Sequence, residues 1–212
     1  MDSSNLEPAW LAWGRRIHAL AQSGIAFTKN PFDVQRYEEL KKIAAEMLAG
    51  FSSHSAQRIE SLFNEDQGYA TPKLDVRAAV FRDGSILMVR ERRTGGWTLP
   101  GGFMDVNQTP SEAAEAEVLD EANITARAVK VAAIYDRRKH EYRPGAQHFY
   151  KIYMLCELIS GEPKPGLETT GAQFFTADEV KALELDTYRV TLRHILRMFE
   201  HAANPALPTD FD

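Results

Sequence analysis

Sulfur is scarce in this chain: its 212 residues hold one cysteine, Cys156. No intrachain disulfide and no multi-cysteine zinc site can be built from it. Its place in the apolar run IYMLCELI marks it as a buried core thiol rather than a nucleophile. Surplus positive charge is also lacking. Lys and Arg number 25 against 30 Asp and Glu, a net charge of −5 at pH 7. Neither the first ~70 residues nor the remainder is basic, which disfavours duplex DNA as a partner. No run approaches the ~18 apolar residues of a membrane span. The start, MDSSNLEPAW, has neither the cationic beginning nor the apolar core of a signal peptide. A cytoplasmic chain without a membrane partner is expected. Internal repeats and low-complexity tracts are absent as well, which excludes solenoid and linker-like architectures.

What is present is an ordinary globular balance, 44% hydrophobic and 26% charged, enough to bury a core. Trp10, Trp13, Ile17 and Leu20 recur at spacings of three and four, with Arg15, Arg16 and Gln22 elsewhere around the turn, and predict an amphipathic helix. Asp33 is expected to cap a second helix carrying Tyr37, Leu40, Ala44 and Met47 and ending at Gly50. A third, over about 55–64, carries Ile59, Leu62 and Phe63. From Asn64 to Lys73 the chain turns polar, and beyond it the hydrophobic period drops from about 3.6 to about 2. The reading is therefore a helical domain over 1–67, a second domain over 68–204 and a frayed tail over 205–212.

In the second domain, DVRAAVF and SILMVRE flank Arg82-Asp83-Gly84, a hairpin signal because both turn residues must tolerate positive φ. Strands are expected over 124–136 and 148–158, with a short one at GAQFF. A capping box of Thr176 and Glu179 follows, and a last helix holds Val190, Leu192, Ile195, Leu196 and Phe199.

The most informative stretch is WTLPGGFMDVNQTPSEAAEAEVLDEANI, Trp97 to Ile124. A strand runs into a Pro-Gly-Gly turn and then a helix with Thr109 as N-cap, Pro110 in the first turn and Glu112 completing a capping box. At ~100° per residue, Glu117, Asp120 and Glu121 fall on one edge of that helix, beside the apolar stripe Ala114, Val118 and Ala122. Clustered carboxylates repel unless a cation sits among them, and positions 113 and 116 are both Ala. A hard divalent cation with oxygen ligands is the economical explanation, against a plain solvated acidic face. Gly101 and Gly102 tip the balance, since they let backbone approach a ligand where the strand meets the helix.

This stretch resembles the Nudix hydrolase box: Gly, five residues, Glu, seven residues, Arg-Glu, an aliphatic, any residue, Glu-Glu, any residue, Gly, an aliphatic. Laid on 102–124, Gly102, Glu117, Val118, Glu121 and Ile124 match and Asp120 is a conservative replacement. Gln108 stands for Glu, Ala116 for Arg and Asn123 for Gly. The resemblance implies that the missing Glu and Arg form a brace in the family, so both ends of one ion pair are lost together. Asn123 tolerates the left-handed conformation that Gly supplies after a helix.

DVRAAVF, LMVRE, AAIYDRRKH, HFYKIYMLCEL and AQFFTADEV, behind the helical segment, are similar to Nudix enzymes acting on nucleoside diphosphates linked to another moiety, ADP-ribose and CDP-choline among them. The implied fold is α+β, a Nudix-type α/β/α sandwich with a mixed sheet. The implied activity is a divalent-metal-dependent pyrophosphohydrolase giving a nucleoside monophosphate and a phosphorylated product. A nucleotide-binding sensor without turnover and a nucleoside or RNA triphosphate pyrophosphatase are the rivals.

The implied site has Glu117 and Glu121 on Mg²⁺, with Mn²⁺ able to substitute, Asp120 assisting, and the backbone carbonyl at Gly101 or Gly102 as a further ligand. Glu168, in the loop PGLETTG, is the candidate general base. Arg137, with Arg138 in the basic turn after Tyr135-Asp136, is the first choice for holding a diphosphate, and Arg90 the next. Tyr135, Phe149 and Tyr150 are core residues that could also stack on a base. No His pair has ligand spacing. Trp10 and Trp13 suit packing between helices or across a homodimer, which the resemblance implies.

Overall fold

The computed structural model describes residues 8–51, 55–64, 68–143, 145 and 147–212. They divide into two compact units, Met1–Pro72 with Pro144–His148, and Lys73–Arg143 with Phe149–Asp212.

The first unit is helical: α1 (Ala9–Phe27), α2 (Pro31–Ala49) and α3 (Ala56–Asn64). Leu11, Ala45, Leu48 and Ile59 form its core, with Trp10 against it and stacked on Phe51 at 4.9 Å. Two expectations need correcting. The buried face of α1 is Leu11, Gly14, His18, Ala21 and Gln22, while Trp13 and Leu20 are 57% and 69% exposed. Of the expected stripe, Trp10 packs on the core while Trp13 and Leu20 face outward, a distinction that periodicity alone does not make. The cap of α2 is Asn30, whose Oδ1 accepts from Phe32 N–H at 3.0 Å, because Pro31 already fits the first turn; Asp33 lies within the helix. Positions 65–67 of the expected boundary, and the side chains of Leu62 and Phe63, lie outside what is described.

The second unit is built on one mixed sheet. Its strands are β1 (Lys73–Arg82), β2 (Ser85–Glu91), β3 (Trp97–Thr98), β4 (Thr125–Asp136), β5 (Phe149–Ser160), β6 (Thr169–Phe175) and β7 (Asp210–Phe211), in the order β3-β2-β1-β5-β4-β7 with β6 also on β2. β1 and β5 are parallel; the β1–β2 and β4–β5 pairs are antiparallel. The β1–β2 turn uses Asp83 and Gly84 at φ of 49° and 76°, as the hairpin reading requires.

Alternation along the strands sends residues to opposite faces. Val76, Ala78, Val80, Leu87 and Val89 meet Ala113, Ala114, Val118 and Ala122 of α4 (Pro110–Ala122) on one side. Ala79, Ile86, Met88 and Leu99 share the other side with Ile195 and Met198 of α6 (Leu192–Ala203). The result is the α+β sandwich anticipated. The capping box Thr176–Glu179 serves only a four-residue helix, α5 (Ala177–Val180), and α6 has its own cap in Thr191.

The end of the chain is not frayed. Asp210 accepts from Arg197 and from Tyr135 and pairs with His201, and Thr209 Oγ1 donates to Val131 O at 2.7 Å, seating β7 parallel to β4. Polar anchors rather than apolar pattern make this strand, so periodicity passed it over. Cys156 is buried, and burial pushes its thiol up to about 12.

Candidate active site

The crossing from β3 to α4 lies flat on β1. Ala78 N–H donates to Pro100 O at 2.8 Å, Val76 N–H to Gly102 O at 2.9 Å, and Met104 N–H to Leu74 O at 3.1 Å. The approach leaves no room for side chains. A Cβ on Gly101, at φ 145°, would stand 2.0 Å from Val76 O, and one on Gly102 would stand 2.4 Å from Glu117 Oε1.

The capping box holds the start of α4 as expected: Thr109 Oγ1 accepts from Glu112 N–H and Glu112 Oε2 from Thr109 N–H. One turn apart on this helix, Glu117 and Glu121 both reach the di-glycine crossing. Glu117 lies against Gly102, and Glu121 Oε2 accepts from Gly101 N–H at 3.0 Å.

Burial, followed by the charge of Glu117, raises the Glu121 carboxyl to about 7; the Gly101 hydrogen bond and Arg77 oppose the rise. Glu117 is also raised, first by burial and then by Asp120, Asp75 and Glu168, with Arg77 opposing. Two carboxyls in one recess therefore resist ionising together. Asp120 is exposed at the rim.

Residues that the motif does not contain complete the setting. Arg77, buried on β1, forks onto Asp75 with Nε and Nη2 at 2.8 Å each, and donates Nη1 to Leu99 O at 3.2 Å, just before the di-glycine. Lys151 Nζ, from the paired β5, also reaches Asp75 at 2.9 Å. Burial pushes the Asp75 carboxyl up, but the charges of Arg77 and Lys151 bring it below the ordinary carboxylate range. Glu91, buried at the end of β2 and paired with Arg189 at 3.1 Å, is raised by burial. The readable signal for these groups was a charge placed inside an otherwise apolar strand, as in DVRAAVF.

The loop before β6 is tied to the end of α4. Glu121 O accepts from Thr169 Oγ1 at 2.8 Å and from Gly166 N–H, and Ala122 O from Lys164 N–H. Asn123 takes φ 55° and donates Nδ2 to Lys164 O and Pro165 O. From the other side Arg92 donates Nε to Leu167 O and Nη2 to Thr169 O, each at 3.0 Å. Glu168 is exposed on this clamped loop, and its charge acts on both Glu117 and Glu91.

The three candidate arginines are not brought together. Arg90 is exposed on β2 and donates to Gly95 O, whereas Arg137 and Arg138 follow β4, with β1 and β5 lying between the two strands. Arg138 forks onto Asp136. Arg137 is 4% exposed, with its guanidinium 4.1 Å from the ring centre of Tyr188 and 4.7 Å from that of Phe149. Tyr135 and Phe149 are core residues, and Tyr150 is half-buried.

Among the described residues, no three His, Cys, Asp or Glu side chains already stand in a metal-holding group. The donor chemistry nevertheless fits a hard divalent cation. Two mutually repelling carboxylates share one recess, and a Cβ at Gly102 would collide with one of them. The Gly102 carbonyl accepts from Val76 N–H and keeps a second lone pair.

An acidic helix docked on a di-glycine crossing, inside an α/β/α sandwich, defines an α+β hydrolase of phosphoric anhydride bonds. The chain belongs to the Nudix family: the NUDIX domain matches residues 71–199, and residues 8–63 match a domain described as UDP-X-like, N-terminal oligomerisation domain. It is 38% identical over 207 residues to YjhB of Bacillus subtilis (strain 168), covering 98% of this chain and 99% of that one; the name of YjhB provisionally assigns it as an ADP-ribose pyrophosphatase. A crystal structure of an ADP-ribose pyrophosphatase from Streptococcus suis 89-1591 superposes with a TM-score of 0.61 at 36% identity, covering 67% of this chain and all of that one. A UDP-X diphosphatase superposes with a TM-score of 0.61 at 28% identity, covering 96% and 98%.

Proposed function

We propose that this chain is a divalent-metal-dependent pyrophosphohydrolase. Its substrate is a nucleoside diphosphate linked to another moiety, of the ADP-ribose or CDP-choline type, and its products are a nucleoside monophosphate and a phosphorylated partner. The observation that carries the reading is the convergence of Glu117 and Glu121 on the Gly101–Gly102 crossing. The names of the relatives point to the same substrate class.

Glu117 and Glu121 would hold Mg²⁺, or Mn²⁺ in its place, with Asp120 at the rim and the Gly102 carbonyl as a further donor. The cation, when bound, supplies Lewis-acid polarisation of a phosphoryl oxygen and acidifies water. Glu168, on a loop anchored to the metal-bearing helix, is the residue proposed to take the proton from the attacking water as the bridging P–O bond breaks. Of the arginines, exposed Arg90 would turn toward the diphosphate on leaving Gly95 O, and Arg138 on leaving Asp136. Arg137 is buried against the rings of Tyr188 and Phe149, which leaves the contact with the diphosphate to the other two.

Rates on ADP-ribose, CDP-choline, nucleoside triphosphates and triphosphorylated RNA, each with Mg²⁺ and with Mn²⁺, test the reading. Turnover confined to the diphosphate derivatives and lost in Glu117→Gln is expected. Binding of ADP-ribose without turnover would replace it by a sensor, and a preference for triphosphates by a triphosphate pyrophosphatase.

We further propose a homodimer joined through the N-terminal helices, supported by the exposed Trp13 and Leu20 of α1. No helix among the described residues is long and apolar enough to cross a membrane. A cytoplasmic location is part of the same reading, in keeping with a chain that needs no disulfide.

A further inference from the structure

The loop that carries Glu168 has little apolar burial to hold it, since Leu167 is 92% exposed and Glu168 is itself exposed. Hydrogen bonds place it instead. On one side it rests on α4: Gly166 N–H and Thr169 Oγ1 both donate to Glu121 O, at 3.2 and 2.8 Å. A Cβ on Gly166 would stand 1.8 Å from Asp120 O, so only glycine permits this approach. On the other side a single residue just past the end of β2 takes hold of three successive loop residues. Arg92 N–H donates to Glu168 O at 2.9 Å, while its Nε and Nη2 donate to Leu167 O and Thr169 O at 3.0 Å each. Nε and Nη2 share one rigid planar guanidinium, so the two carbonyls flanking Glu168 are fixed relative to each other and to β2.

We propose that Arg92 is a positioning residue for the reaction, fixing where Glu168 stands relative to Glu117 and Glu121 without touching the substrate. The inference rests on the proposed function, in which Glu168 takes the proton from the attacking water. Glu168 lies between the two residues that bind the Glu121 carbonyl, so any shift of its backbone changes its distance from the helix that carries both carboxylates. An exposed proton acceptor works only while its backbone holds still, because a displacement on the order of 1 Å can cost about 10²-fold in rate. The contacts to α4 grip the loop at Gly166 and Thr169; Arg92 alone binds Glu168 and both of its neighbours.

A double-mutant cycle on the full chain tests this, with steady-state cleavage of ADP-ribose in Mg²⁺ by the wild type, Arg92→Ala, Glu168→Gln and the pair. Arg92→Ala is expected to lower kcat about tenfold with KM nearly unchanged, and the pair to be no slower than Glu168→Gln alone. Amide hydrogen exchange, which needs neither metal nor turnover, should quicken over 166–169 in Arg92→Ala and stay unchanged along α4. A raised KM at constant kcat overturns the proposal by making Arg92 a substrate contact. Losses that multiply in the pair overturn it too, as does unchanged exchange over the loop. Wild-type turnover in Arg92→Ala beside a slowed Glu168→Gln strikes this inference alone. Full turnover in Glu168→Gln, or no cleavage by the wild type, instead strikes the underlying reading and takes this one with it.

Discussion

Glu121 sits where folding and chemistry pull in opposite directions. Its carboxyl is raised from about 4.5 to about 7 in the folded chain, mainly by burial. The fold therefore favours the protonated form, and stability that is fully present below pH ~4.5 is lost as pH rises through ~7, by up to about 3 kcal/mol. Without divalent cation, the melting temperature is expected to fall between pH 5 and pH 8, and Glu121→Gln to flatten that fall, as scanning calorimetry can check. Mg²⁺ should restore more stability at pH 8 than at pH 6, because protons compete for the same oxygens. The same substitution should lower turnover on the order of 10²-fold, which separates a stabilising change from a tolerated one. Glu117 and Glu121 were legible because a spacing of four puts both on one helix edge. Arg77, Asp75 and Glu91 were not, since the partners that complete their pairing, Lys151 on β5 and Arg189 near the end of the chain, are distant in sequence.

Among elements, α4 was read almost to the residue, because its start is written in chemistry that acts locally: Thr109, Pro110 and Glu112 satisfy the first turn by themselves. The end of the same helix shows what a replaced glycine can gain. Asn123 keeps the left-handed φ and adds two hydrogen bonds to the loop that carries Glu168. Asn123→Gly is therefore expected to leave the unfolding midpoint nearly unchanged while lowering kcat several-fold. Asn123→Ala should cost about 1–2 kcal/mol as well, measured by urea titration. Helix α1 was misread in its orientation because apolar residues lie on more than one of its faces, and a spacing of three and four fits the exposed Trp13 and Leu20 as well as the buried Leu11 and Ala21. Strand β7 was missed because Arg197, His201 and Lys130, all outside it, hold that end of the chain in place.

For the molecule as a whole, the homodimer proposed through the exposed face of α1 makes the state of assembly the measurement. Trp13→Glu with Leu20→Glu should halve the mass seen in sedimentation at micromolar concentration while leaving the far-ultraviolet dichroism intact, since neither residue belongs to the core of its own unit. A retained mass would move the interface elsewhere. The fold class was legible at this scale because the change of hydrophobic period marks a helical unit followed by a sheet. How strands beyond the first hairpin pair was not, because parallel β1 and β5 are joined only through some seventy intervening residues.

The position of Cys156 has a practical consequence. Walled in between the sheet and α4, its sulfur is hidden from alkylating reagents and peroxide for as long as the second unit stays closed. Maleimide uptake then becomes a clock for opening of the catalytic half alone, read from one mass increment per chain without any engineered label.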